Sequence, residues 1–219
     1  MKAASEVQKD SILEWDLVIT AALTTGMREG ELLNSVWSDI DFGELVVGVN
    51  PKPNGDQTWE WRIEDTDRRS LPLTEDVCRL LIALQGSRLH GYPYVFVPPG
   101  RYDHIQQVLR PKGMWSLSGA RNEIIHNFST QFEKILAKAN VPTGTFHDLR
   151  KTAITNWFGQ DMSEYDVMVL AGHANFQTSH RFYLAVTDDL IPRARRAITH
   201  EVRPEPIEKC SRRHPCPTV

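Results

Sequence analysis

Three short segments of this chain carry side chains suited to the chemistry of phosphate. Residues 145–150 read Thr-Phe-His-Asp-Leu-Arg, and residues 170–173 read Leu-Ala-Gly-His, with a tyrosine ten positions further on. The third segment, residues 25–31, reads Thr-Gly-Met-Arg-Glu-Gly-Glu. Arginines bind phosphate through paired donors, histidines move protons, and a tyrosine hydroxyl can act as a nucleophile. Together they are the groups needed to break a phosphodiester bond with a protein side chain.

Arg28 and Tyr183 each have an ordinary interpretation when they are considered alone. Arg28 follows a Thr-Thr-Gly turn and could be a solvated arginine at a helix start, paired with Glu31 or Asp39. Tyr183 falls on a predicted helix, where a core or half-buried tyrosine is the commoner case. Only the combination with the other segments favours a chemical role.

His147 and Arg150 are three residues apart, so they share one face of the helix that residues 145–148 are predicted to cap. Unpaired backbone N–H groups and the positive end of the helix dipole favour a phosphate in that first turn. The alternative is a surface histidine beside an arginine paired to Asp148 or Glu164.

The elements that would position these side chains are mostly helical. Helix starts are predicted from caps and capping boxes at residues 11–14, 74, 145–148 and 163–166. An amphipathic helix is predicted over residues 124–140, and Gly26 and Gly172 are predicted helix stops. Residues 91–118 are rich in proline, glycine and aromatic residues and are expected to be irregular.

Residues 44–73 have the pattern of β-structure. Apolar and other residues alternate in residues 45–49 and again in residues 58–64, and Asn54-Gly55 between them is a strong turn signal. A third short strand is predicted over residues 69–73. The predicted fold class is therefore α+β, mostly α-helical with a small three-stranded antiparallel sheet.

The order of the motifs resembles the catalytic domain of the tyrosine recombinases, the phage-integrase family. In order, the chain has Thr-Gly-Met-Arg-Glu-Gly-Glu-Leu, Trp-Ser-Asp-Ile-Asp, a small sheet, His-Asp-Leu-Arg, Leu-Ala-Gly-His and a tyrosine, from about residue 12 to 190. The resemblance implies the DNA breaking-rejoining fold. It also implies a set of catalytic residues: Arg28, His147, Arg150, His173 and Tyr183.

The resemblance further implies site-specific cutting and rejoining of double-stranded DNA through a 3′-phosphotyrosine, by a dimer to tetramer on DNA. Tyr183 would attack the phosphate, and Arg28 and Arg150 would bind its non-bridging oxygens. His147 would assist proton transfer from the tyrosine, and His173 would donate to a phosphate oxygen. No ATP, metal or other cofactor is expected.

Two positions depart from the family pattern. The family's tyrosine usually falls where this chain has Phe182, and an insertion in the turn at residues 174–177 would restore the geometry for Tyr183. The family's lysine, which protonates the leaving 5′ oxygen, falls at Glu64. A carboxylate there would repel the phosphate, so impaired activity is expected. The alternatives are a catalytically dead DNA-binding or regulatory domain and a type IB topoisomerase-like DNA relaxing enzyme.

Composition limits the remaining possibilities. The 219 residues suit one domain, predicted as a catalytic domain over residues 1–200 without the family's N-terminal DNA-clamp domain, followed by a loose tail at 201–219. A formal net charge of -3 argues against a protein whose surface binds DNA phosphates non-specifically at many points, although it allows a local basic cleft. No apolar run is long enough to span a membrane, and three cysteines fit a reducing cytoplasm.

Overall fold

A computed structural model describes residues 3–4, 13–63, 68–115, 124–175 and 177–180, and all structural statements below concern these ranges. The elements are, in chain order, α1 (Trp15–Thr25), α2 (Glu29–Leu33), β1 (Ile40–Asp41), β2 (Val46–Val49), β3 (Arg69–Pro72), α3 (Glu75–Ser87), α4 (Pro99–His104), α5 (Phe128–Lys138), α6 (Phe146–Gly159) and α7 (Glu164–Ala171). The predicted fold class, mostly helical with a small sheet, is confirmed.

The sheet is antiparallel with the order β1-β2-β3, as the alternating pattern predicted, but one of its strands differs from the prediction. Val47 pairs with Ile40 of β1 on one side and with Leu71 of β3 on the other. The prediction of a strand over residues 58–64 is wrong for residues 58–63, the part that the structure describes. These residues form one isolated bridge, between Trp61 and Lys52. Pro51 and Pro53 flank Lys52 and lack the N–H that a longer ladder needs.

Several predicted helix boundaries are confirmed by their hydrogen bonds. The Thr74 hydroxyl accepts from the Val77 N–H at 3.3 Å, and the Ser163 hydroxyl accepts from the Asp166 N–H at 3.1 Å. In the box that opens α6, the Thr145 N–H donates to the Asp148 carboxylate at 2.7 Å. These caps bind backbone groups that a helix end leaves without intrahelical partners.

Three helix predictions need correction. α5 begins at Phe128 rather than residue 124, because Asn127 lies in the left-handed region at φ 59° and interrupts the helical backbone. α1 begins at Trp15 without a side-chain cap, later than the predicted box at residues 11–14. The segment expected to be irregular contains α4, which starts at Pro99, where a missing N–H is tolerated, and continues as a π-helical turn over Ile105–Leu109.

The main core surrounds α1. Trp15 is fully buried, and its ring lies 4.9 Å from that of Phe128 on α5. A smaller cluster joins α6 to α7 through Ile154, Phe158 and Val167. The helices whose ends carry the arginine and histidine motifs are therefore fixed by packing. Among the described residues, no helix is long and apolar enough to cross a membrane.

Candidate active site

Arg28 is positioned by the turn between α1 and α2. Gly26 ends α1 in the left-handed region at φ 63°, where a side chain is strained, and a Cβ there would lie 2.8 Å from the Trp157 ring of α6. The main chain then turns so that Arg28 becomes the N-cap residue of α2. The glycine predicted as a helix stop is thus also needed for close packing against α6.

The Arg28 guanidinium makes two contacts and keeps part of its surface open. Nη1 donates to Glu31 Oε1 at 2.9 Å, and Nη2 donates to the Gly172 carbonyl at 3.3 Å. The predicted pairing with Glu31 is therefore present, whereas Asp39 pairs with Lys52. The Arg28 side chain remains 24% exposed, so an anion can reach it.

Glu31 is a buried carboxylate that binds two arginines. Its Oε2 accepts from Arg69 Nη2 at 2.7 Å and from the Arg28 N–H at 2.8 Å. Burial acts to raise the pKa of Glu31, but the charges and hydrogen bonds of Arg69 and Arg28 outweigh it and lower the pKa. Glu31 is therefore ionised and holds Arg28 in place. From the sequence, Glu31 is expected only as a possible partner of a solvated Arg28, and Arg69 is not expected to take part in the site.

Arg150 lies in α6 and is almost completely buried, with 2% of its surface exposed. Nη1 donates to the Gly26 carbonyl at 2.6 Å, and Nη2 donates to the Ala171 carbonyl. Arg150 therefore joins the turn after α1 to the end of α7. Burial and then the charge of Arg28 lower the pKa of Arg150 to about 10, which leaves it protonated at neutral pH.

The alternative in which Arg150 pairs with Asp148 or Glu164 is wrong. Asp148 pairs with Lys151, its Oδ1 accepting from Nζ at 2.7 Å. Glu164 pairs with His180, with 3.0 Å between Oε1 and Nδ1. Neither predicted carboxylate partner binds Arg150, and burial instead directs its terminal nitrogens to main-chain carbonyls.

Both predicted histidines lie in the field of these arginines. His147 is exposed in the first turn of α6, and the covering of part of its ring, followed by the charge of Arg150, lowers its pKa. His173 follows the left-handed Gly172, and its Nδ1 lies 2.9 Å from Ser179 Oγ. Burial and then the charges of Arg150, Arg28 and Arg69 lower the pKa of His173 to about 4. Both imidazoles are therefore mainly neutral at neutral pH.

The structure brings four of the five predicted site residues together, namely Arg28, His147, Arg150 and His173. Tyr183 lies outside the described residues, as do Phe182 and Glu64. Just ahead of the segment that carries Tyr183, the Asn175 Oδ1 accepts from the Gln177 N–H at 2.9 Å, as an N-cap side chain does.

The charges of the three arginines and Glu31 favour the binding of an anion. The guanidinium groups of Arg28, Arg69 and Arg150 surround the single carboxylate of Glu31, which leaves an excess of two positive charges. Preorganised positive groups in a partly dry site stabilise negative charge that develops on a bound phosphate. In the described part of the chain, no group of three His, Cys, Asp or Glu side chains could hold a metal ion.

Comparison with known proteins identifies the family. The sequence profile of the phage integrase family matches residues 1–189, and the chain belongs to that family. A tyrosine recombinase XerC-like protein of Caldanaerobacter subterraneus subsp. tengcongensis is 25% identical over 175 residues, covering 75% of this chain. The chain spans 44% of the length of that curated relative.

Solved structures show the same fold. An integrase of the Tn1549 transposon in complex with a circular intermediate DNA has a TM-score of 0.59 and 19% identity, over 92% of this chain and 63% of the other. XerA recombinase has a TM-score of 0.55 and 21% identity, over 93% of this chain and 63% of the other. The breaking-rejoining fold implied by the motifs is therefore confirmed.

Glu31→Gln is expected to destabilise the fold, because it leaves two arginines around a neutral amide. Breaking a buried ion pair from one side costs roughly 3–5 kcal/mol, and urea unfolding at neutral pH measures the loss. The exposed Asp76–Arg79 pair gives a matched control, in which Asp76→Asn should cost about 1 kcal/mol or less. Equal effects of the two substitutions would contradict the role given to Glu31.

Comparing the unmodified chain with Glu31→Gln at several pH values gives a second test of Glu31. The pKa of Glu31 is lowered in the folded state, so its stabilising effect is complete above the ordinary carboxyl range and is lost as the pH falls through the lowered value. The stability difference between the unmodified chain and Glu31→Gln should persist at weakly acidic pH and shrink only in stronger acid. A difference that vanishes already in weak acid would show that the carboxylate is not held ionised.

Proposed function

We propose that this chain is the catalytic domain of a site-specific DNA recombinase that cuts and rejoins double-stranded DNA through a covalent 3′-phosphotyrosine. The observation that supports this most is the cluster of Arg28, Arg150, His147 and His173, in a chain of the phage integrase family. The DNA complex of the Tn1549 integrase, a structural relative, supports DNA as the partner. We further propose that the working form is a dimer to tetramer on DNA.

In the proposed reaction the Tyr183 hydroxyl attacks a backbone phosphorus. A bond forms between the tyrosine oxygen and phosphorus, and the tyrosine proton passes to a base. The bond from phosphorus to the 5′ oxygen breaks, and that oxygen takes up a proton to become a 5′ hydroxyl. The bond energy is kept in the phosphotyrosine, so religation by the 5′ hydroxyl needs no ATP.

The arginines would stabilise the charge on the non-bridging oxygens. Arg28 offers an exposed part of its guanidinium. Arg150 donates from both terminal nitrogens to main-chain carbonyls, and each of those nitrogens carries a second N–H that can serve a phosphate oxygen. Arg150 would thus both fix the two turns that form the site and bind the phosphate.

The histidines would act as neutral groups. A lowered pKa keeps His147 unprotonated at neutral pH, so it can accept the tyrosine proton. His173, with a pKa of about 4, would donate a neutral N–H to a phosphate oxygen rather than a positive charge. The exposed position of His147 suits contact with a substrate, and the half-buried position of His173 suits orientation by Ser179.

The direct test uses DNA with a nick a few nucleotides to the 3′ side of the cleavage site. Cleavage then releases a short segment that carries the 5′ hydroxyl, and once this segment diffuses away the phosphotyrosine cannot religate. The proposal expects a shifted protein–DNA band on a denaturing gel. A folded chain that binds the same DNA but never forms this band would contradict the recombinase function. It would support the catalytically dead DNA-binding domain that Glu64 favours.

Glu64→Lys is expected to speed formation of the adduct and to tighten DNA binding. The change replaces a carboxylate that repels phosphate with a proton donor for the leaving 5′ oxygen. Single-turnover rates on the nicked substrate measure the effect, and Glu64→Gln serves as a control that removes the charge without adding an acid. An unchanged rate in Glu64→Lys would show that this position does not limit cleavage.

A substrate with a 5′-bridging sulfur tests the same idea from the DNA side. The sulfur leaving group needs no proton, so the unmodified chain should cleave it much faster than ordinary DNA. Equal rates on the two substrates would mean that leaving-group protonation is not what Glu64 compromises.

A further inference from the structure

Arg69 is a third arginine of the site, and it links three elements around it. It begins β3, and only 5% of its side chain is exposed. Its Nη2 donates to Glu31 Oε2 of α2 at 2.7 Å, and its Nε donates to the Leu170 carbonyl near the end of α7 at 2.9 Å. These donors act in two fixed directions from one rigid plane, which a lysine ammonium cannot reproduce.

The turn that leads to His173 lies directly against this guanidinium. Gly172 has φ 63°, and a Cβ placed there would be 2.9 Å from Arg69 Nη1. The carbonyl of the same glycine accepts from Arg28 Nη2 at 3.3 Å. Arg69 and Arg28 therefore contact the same turn, and both also bind Glu31.

We propose that Arg69 is a positioning residue, which sets Arg28 through Glu31 and sets His173 through the Leu170–Gly172 turn. This inference rests on the proposed function. We class Arg69 as a positioning residue because its two hydrogen bonds hold Glu31, which binds Arg28, and Leu170, in the turn that leads to His173. A buried charged residue is seldom the most stabilising choice at a packed position, so the directional contacts that Arg69 makes to α2 and α7, rather than stability, account for an arginine here.

Arg69→Gln and Arg69→Lys test the proposal through the rate of adduct formation on saturating nicked DNA, measured per folded molecule. We expect a loss of roughly 100-fold for Arg69→Gln, as small misplacements of catalytic groups can cause, and a smaller loss for Arg69→Lys. DNA affinity should stay nearly constant. The matched control is Arg79→Gln, which removes one positive charge from an exposed position on α3 and should leave the rate unchanged.

The pH profile separates positioning from a purely structural role. Arg69 helps to keep the pKa of Glu31 low against the opposite effect of burial, with Arg28 as the second bound charge and Arg150 as a further positive charge that interacts with Glu31. In Arg69→Gln the Glu31 pKa should rise, so the rate should begin to fall at a higher pH than in the unmodified chain. A variant that loses only folded protein, with an unchanged rate per folded molecule and an unmoved acidic limb, would overturn the proposal.

A titration of the histidine ring protons by NMR needs no activity. Burial and then the charges of Arg150, Arg28 and Arg69 hold the pKa of His173 low, so Arg69→Gln should raise it. Burial and the charges of Arg150 and Lys151 dominate on His147, which serves as the internal reference. If the unmodified chain forms no adduct, the proposed function fails, and this titration still decides the case of Arg69. An unchanged His173 pKa would then contradict the positioning role.

Discussion

Tyr183→Phe is expected to abolish the covalent protein–DNA product while leaving the fold and DNA binding nearly intact. The substitution removes only the hydroxyl that attacks phosphorus, and no neighbouring phenylalanine can replace it. A denaturing gel with the nicked substrate measures the adduct, and fluorescence anisotropy with the same DNA measures binding. The loss should reach the detection limit, because no other group would complete the reaction.

The control for this substitution is Tyr165→Phe. Tyr165 lies on α7 and is 68% exposed, which makes it the first tyrosine to suspect if Tyr183 is not the nucleophile. Tyr165→Phe should form the adduct at the unmodified rate. An adduct that persists in Tyr183→Phe and disappears in Tyr165→Phe would transfer the role.

Arg28→Lys and Arg150→Lys are each expected to slow cleavage steeply. A single ammonium cannot reproduce a planar group that donates in two directions, and losing one preorganised donor typically costs about 3–4 kcal/mol of transition-state stabilisation. Single-turnover rates on the nicked substrate measure the loss. Unaltered rates in both variants would show that these arginines have no part in the chemistry.

The two variants should differ in stability. Arg150 is 2% exposed and binds two main-chain carbonyls, so Arg150→Lys should cost about 1–3 kcal/mol of unfolding free energy, the usual cost of leaving a buried polar group unpaired. Arg28 is partly exposed, and a lysine there can still approach Glu31, so Arg28→Lys should cost less. Urea unfolding distinguishes the two. The reverse order would contradict the arrangement of the site.

The elements that carry the site could be predicted from local sequence signals. Gly26 and Gly172 both end helices in the left-handed conformation, and the box at Thr145 opens α6. Such signals depend on residues within one turn of each other, so a sequence reveals them without knowledge of the fold. They fixed the positions of Arg28, His147 and Arg150 on their elements.

The parts that sequence reasoning missed depend on contacts between distant segments. The described part of residues 58–64 alternates as a strand does, but Trp59 stacks on Tyr94 at 4.1 Å between ring centroids and is buried there. Tertiary packing therefore overrode a correct local pattern.

The buried part of the site was missed for the same reason. Glu31 and Arg69 are separated by 38 positions, and their ion pair exists only because β3 passes beside α2. No spacing rule along the chain predicts it. The available signal was a carboxylate three residues after Arg28, where it can accept from the N-cap main-chain N–H, as Glu31 does at 2.8 Å.

The most direct measurement is the position of the covalent bond. The adduct from the nicked substrate would be digested with nuclease and trypsin, and the nucleotide-bearing peptide would be sequenced by tandem mass spectrometry. We expect the bond on Tyr183, in the tryptic peptide of residues 182–193, which contains no other tyrosine. A nucleotide on the peptide of residues 152–181, which carries Tyr165, would contradict it, as would the absence of any nucleotide-bearing peptide from folded, DNA-bound protein.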